Sequence, residues 1–74
     1  MMTIRDICTG PVYDWKREGI PVLEIRARII RLAQENGVPG CDVSGTDDAF
    51  DLIFDGHGVI SFSGVDWGWK PKQV

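Results

Sequence analysis

Phe50-Asp51-Leu52-Ile53-Phe54-Asp55-Gly56-His57-Gly58-Val59-Ile60-Ser61-Phe62-Ser63 is the stretch on which the fold turns. Phe50, Leu52 and Phe54 alternate with Asp51 and Asp55, and Ile60 and Phe62 alternate with Ser61 and Ser63. Apolar residues at period two on both sides of a glycine-rich break predict a β-hairpin with one face buried. A rival assignment has Thr46 capping a helix that runs through Asp47, Asp48 and Ala49 to Phe54, its acidic residues favouring the first turn. The hairpin is the preferred assignment, and it makes the chain α+β, because the residues before it carry helical patterning.

Immediately upstream lies a linker, Val38 to Thr46, rich in Gly and Pro. Before it, Pro21 to Asn36 is the strongest helix, ended by Gly37 and Pro39. At 100° per residue, Val22, Leu23, Ile25, Ala27, Ile29, Ile30, Leu32 and Ala33 fill a broad apolar arc, with Glu24, Arg28, Arg31 and Glu35 opposite. So wide an arc implies cover on more than one side, as for a central core helix or a dimer interface. Arg26 falls inside the arc; it either snorkels along its stem or meets a partner. Two short helices precede this one. Thr3 caps the first, Ile4 to about Cys8. Pro11 suits the first position of the second, which runs to Arg17, with Gly19 as its stop. Downstream of the hairpin, Val65-Asp66-Trp67-Gly68-Trp69-Lys70-Pro71-Lys72 is a third strand or an ordered arm. The organisation expected is one small domain over residues 1–74, with 1–36 helical and 37–74 forming linker, hairpin and tail.

Seventy-four residues bury only about 60% of their unfolded surface, so dimerisation is one expected source of added stability. No apolar run approaches the ~20 residues needed to span a bilayer. The first residues, Met-Met-Thr-Ile-Arg-Asp, lack the apolar core of a signal peptide. No membrane association and a cytoplasmic location are therefore expected. Cys8 and Cys41 are too few for a disulfide framework and are expected as reduced thiols. With the distant His57 they lack the close ligand pairs of a zinc site, so no metal or other cofactor is expected. The net charge of −3 is unevenly spread. Residues 1–36 carry six cationic against five anionic side chains, and residues 37–74 carry two against six. Only the first half offers a basic surface.

The stretch from Asp6 to Pro21 holds Ile7, then Val12, then Trp15, the basic pair Lys16-Arg17, and Gly19-Ile20-Pro21 before the long helix. This arrangement resembles the turn and second helix of small helix-turn-helix domains of the phage-repressor type. The resemblance covers about a third of the chain, and no counterpart of the helix that precedes the motif stands before it. Asp6 takes the place of the usual tight-turn glycine and Cys8 that of the usual serine. The resemblance implies Ile7, Val12 and Trp15 facing inward. It places Cys8, Thr9, Gly10, Tyr13, Asp14 and Arg17 outward, Asp14 setting a negative charge on the reading face. Thr9 and Tyr13 would touch base edges or phosphates, Arg17 would pair with guanine, and Arg5 and Lys16 would contact phosphate. It further implies a dimer on duplex DNA, regulating transcription by occupying an operator.

Trp67 and Trp69 lie two apart, so on a strand they share a face, and Lys70 and Lys72 flank them. With Arg26, these residues suit a second function: a non-enzymatic inhibitor that binds a host protein or protein complex, in the manner of phage-encoded anti-CRISPR proteins. A third option is an interaction module within a larger assembly. Asp47, Asp48 and Asp51 lack the spacing of a calcium loop. Gly56-His57-Gly58 is too short for a phosphate loop, and no nucleophile motif surrounds it. Enzymatic activity is not expected.

Overall fold

A computed structural model of the chain describes residues 2–71. Three helices, α1 (Ile4–Thr9), α2 (Pro11–Arg17) and α3 (Val22–Glu35), lead into four strands, β1 (Asp42–Gly45), β2 (Ala49–Phe54), β3 (Gly58–Ser63) and β4 (Asp66–Lys70). The strands form one antiparallel sheet in the order β1-β2-β3-β4. The fold is α+β, and Phe50–Phe54 is strand. Phe50, Leu52, Phe54, Ile60 and Phe62 are buried, whereas Asp51 and Ser63 are exposed. The helices therefore cover one face of the sheet and leave the other open.

The sheet face and the helices share one core. Ile4, Ile7 and Cys8 from α1, Val12 from α2, and Ile25, Ile29 and Ala33 from α3 meet the sheet residues. Each fully buried Ile, Leu or Phe contributes about 1.5–3 kcal/mol relative to exposure. Phe50 and Phe62, cross-strand partners, stack with ring centroids 5.1 Å apart. Asn36, at the end of α3, ties the chain's start to this core. Its Nδ2 donates to Leu32 O and its Oδ1 accepts from the Met2 N–H, both at 2.9 Å.

The hairpin turn follows from its residues. His57 N–H donates to Phe54 O at 2.8 Å, and Gly56 sits at φ 82°, the positive value needed at the third position of a type II turn. At the other end of the molecule, Thr3 caps α1 as its sequence predicts. Thr3 Oγ1 accepts from the Asp6 N–H at 3.1 Å, and Asp6 Oδ2 accepts from the Thr3 N–H at 3.0 Å, a reciprocal capping box. The backbone hydrogen bond from Thr3, reinforced by its hydroxyl, holds the Asp6 carboxyl below the ordinary aspartate value. A lowered folded value stabilises above the unfolded one, so this contribution is present at neutral pH. It is lost as the pH falls below about 4. Thr3→Ala is expected to cost about 1 kcal/mol at pH 7 in a chemical-denaturation curve. The variant keeps the Thr3 N–H bond to Asp6, so only the hydroxyl's smaller share of the pH dependence is lost and the difference from wild type should narrow only slightly near pH 3.

Two boundaries differ from the sequence expectation. The stretch expected as linker contains β1, whose four residues are all exposed. They join the sheet through backbone pairing alone, from Asp42 opposite Ile53 to Gly45 opposite Phe50. Pro21 is the cap of α3 rather than its first residue. Of the two alternatives for the tail, strand or ordered arm, residues Asp66–Lys70 take the first as β4, paired with β3 from Val59 opposite Lys70 to Ser63 opposite Asp66. Lys72 lies outside the described residues. Among the described residues no helix is long and apolar enough to cross a membrane.

Candidate functional site

α1 and α2 are joined by Gly10 alone and pack through Ile7 and Val12, both fully buried. The pair faces β4, where period two puts Trp67 and Trp69 on the helix side of the sheet. A cleft of about 270 Å³ opens between them. Arg5, Thr9 and Tyr13 form one wall, Trp67, Gly68 and Trp69 the other, and Cys8 also lines it.

Contacts across the cleft are aromatic and cationic. The Tyr13 ring meets Trp67 edge-on, with centroids 4.9 Å apart and planes at 66°. The Arg5 guanidinium lies 5.5 Å from the Trp69 ring centroid, and Lys16 Nζ lies 5.7 Å from that of Trp67. Both are within cation–π range, worth about 0.5–1 kcal/mol at partly exposed sites. Neither cation enters a salt bridge among the described residues. Each is thus held in place by an indole with no salt bridge to fix its charge elsewhere. Tyr13 is 53% exposed.

Trp69 carries a further feature. Its Nε1 is buried and has no hydrogen-bond acceptor among the described residues. It lies against Gly58 of β3, so close that a methyl group on Gly58 would come within 2.7 Å of it. Leaving such a donor unpaired costs about 1–3 kcal/mol.

Of the nine described residues expected to contact DNA or a partner protein, six meet at this cleft: Arg5, Thr9, Tyr13, Lys16, Trp67 and Trp69. Three do not. Arg17 is bound to Asp14 on the exposed side of α2 at 3.3 Å, an i,i+3 surface pair of small energetic weight. Arg26 snorkels: its guanidinium lies 5.0 Å from the Phe50 ring centroid and reaches Asp47 at 3.9 Å. Lys70 sits on the opposite face of the sheet, in a depression with Asp51, Val59, Ser61 and Pro71.

One carried-over position is corrected. Cys8, expected outward, is 2% exposed and packs with Ile4 and Ile7. It follows Ile4 by one helical turn, so α1 turns it to the core, and burial pushes its thiol up. Cys41 is also raised, by burial first and then by Asp42. Thr9 has its hydroxyl engaged as donor to Arg5 O at 2.9 Å. The sequence reading missed the pairing of Arg28 with Trp15, whose ring centroid lies 5.6 Å from the guanidinium. Arg28 stands with the charged residues of α3, and only the crossing of α2 over α3 brings Trp15 beneath it.

A second depression, of about 200 Å³, gathers Cys41, Asp42, Asp55 and His57 around the β2–β3 turn. Among the described residues no three His, Cys, Asp or Glu side chains are grouped to hold a metal ion. Comparison of the chain with protein-family models finds no match, and comparisons with curated proteins and with solved structures likewise find none.

Proposed function

We propose that this chain is a non-enzymatic binding protein that docks a partner protein in the cleft between α1–α2 and β4. One observation carries this reading: Arg5 and Lys16, which form no salt bridge among the described residues, are each held over a tryptophan beside a half-exposed tyrosine. Trp, Tyr and Arg are the residues enriched where protein interfaces concentrate their energy. Their positions are fixed before binding, which lowers the entropy lost on association. The partner surface complementary to this cleft is acidic and carries an apolar or aromatic side chain for the space beside Tyr13.

A second reading, a DNA-binding regulator of the phage-repressor type, has its own support. Ile7 and Val12 turn inward from a tightly joined helix pair, as that motif requires. Its weakness is the free side of α2, where Asp14 and Glu18 outnumber Arg17, which Asp14 already engages.

The test is affinity capture from host lysate by the whole chain, with and without nuclease, beside the variant Arg5→Glu/Lys16→Glu. Hot-spot residues of this kind are worth about 2 kcal/mol or more each. A protein retained by the wild type through nuclease treatment, and lost by at least about tenfold in the variant, is the expected result. Retention that disappears with nuclease, together with duplex binding that weakens steeply with salt, would transfer the assignment to DNA. Equal retention by both forms would remove the cleft from the function.

A further inference from the structure

β4 is an edge strand, and with its flanks it reads Val65-Asp66-Trp67-Gly68-Trp69-Lys70-Pro71. About Gly68 this sequence is complementary to itself in reverse. We propose that two copies of the chain pair antiparallel along β4, on a twofold axis at Gly68, joining their four-stranded sheets into one. In that register Gly68 opposes its own copy. Trp67 opposes the second copy's Trp69, Asp66 opposes the second copy's Lys70, and Val65 opposes the second copy's Pro71.

Each pairing is one an antiparallel ladder favours. Opposite residues share a face, and aromatic pairs and opposite charges are both stabilising cross-strand neighbours. The tryptophans meet on the helix side, and the charged pairs, present twice by symmetry, meet on the open side. Val65, 78% exposed and the most exposed large apolar residue described, gains an apolar neighbour. At the axis, Gly68 presents bare backbone with nothing within 4 Å of the direction a side chain would take. A twofold interface of this kind uses the same patch on both copies and closes after two.

The other edge has no such property. β1, Asp42-Val43-Ser44-Gly45, reversed on itself sets Asp42 against Gly45, and Asp47 and Asp48 follow it closely. Edge strands are usually blunted by bulges, prolines or unmatched charges. Within β4 the one lysine is matched by the aspartate that a second copy would bring. The axis runs through the sheet, so both helix pairs lie on the same side. The two clefts then lie on the same side of the joined sheet.

The oligomeric state tests this directly. Light scattering across a concentration series should show the whole chain passing from monomer to dimer. Lys70→Asp sets like charges opposite each other at two places and should weaken the dimer by at least about tenfold. Asp66→Lys should do the same, and Asp66→Lys/Lys70→Asp should restore it, because the exchanged charges again face each other. Gly68→Cys, in a Cys41→Ser background, should cross-link into a covalent dimer under mild oxidation. Opposing Cα atoms in an antiparallel pair are about 4.5–5.5 Å apart, inside the disulfide range. Ser61→Cys, one strand in from the edge, should stay uncross-linked. A wild type that stays monomeric at every concentration would overturn the proposal. So would a dimer indifferent to Lys70→Asp, or one that Asp66→Lys/Lys70→Asp fails to restore. None of these variants alters Arg5 or Lys16, so this outcome is separate from that of partner capture.

Discussion

Phe54→Ala is expected to remove a large part of the stability of this fold. Phe54 is 1% exposed and the largest of the fully buried side chains. It closes β2 where the strand turns into β3. Truncating a buried phenylalanine costs about 3–5 kcal/mol, through lost transfer energy and the cavity left behind. At about 0.05–0.15 kcal/mol per residue, a chain of 74 residues has roughly 4–11 kcal/mol in total. A thermal melt should place the variant at least about 12 °C below wild type, given about 4–8 °C per kcal/mol at this size. A shift under about 4 °C would mean that the sheet relaxes into the cavity and that Phe54 is not central to the core.

The same residue shows why the fold was largely legible. Phe50, Leu52 and Phe54 recur at period two with Asp51 and Asp55 beside them, and that period is the signature of a strand with one buried face. The long helix announced itself through its apolar arc, and Thr3 through its cap. β1 gave no such sign. Asp42, Val43, Ser44 and Gly45 bury nothing, so no side-chain pattern records that their backbone pairs with β2. Cys8 was misplaced for the opposite reason. Its position was carried over from a motif, while Ile4, Ile7 and Cys8 already formed a helical stripe that local periodicity alone would have turned inward.

The members of the cleft were also visible singly, and their meeting was not. Arg5 and Trp69 are distant in sequence, and so are Lys16 and Trp67. They come together because the β2–β3–β4 meander returns the tail beneath the first two helices. Such a contact depends on strand order and on which face the helices cover. Neither is written in the local pattern of either partner. Arg17 illustrates the converse. A motif marked it for base recognition, while Asp14, three residues before it on the same helix, was the nearer partner.

Gly58→Ala should have the second largest effect, and it tests how β4 is held beside the cleft. Gly58 is buried at φ 116°, a conformation that essentially only glycine adopts. A methyl there would stand 2.7 Å from both Lys70 O and Trp69 Nε1. The first is backbone of the neighbouring strand and the second a packed indole, so neither yields without moving β4. Gly56→Ala is the matched control. It also has positive φ, at 82°, but a methyl there meets nothing within 4 Å. The control should therefore lose only the backbone term, about 1 kcal/mol, while Gly58→Ala should lose more than about 2 kcal/mol. The wider φ at Gly58 adds strain of its own, so the gap in stability reports strain and displacement of β4 together, and tryptophan emission reports the displacement. Tryptophan emission separates these further, since displacing Trp69 from Gly58 exposes its indole and shifts emission to longer wavelength in Gly58→Ala only. If both variants melt together with unchanged emission, β4 is not seated by Gly58, and the orphaned Trp69 donor is held in place by the helices instead.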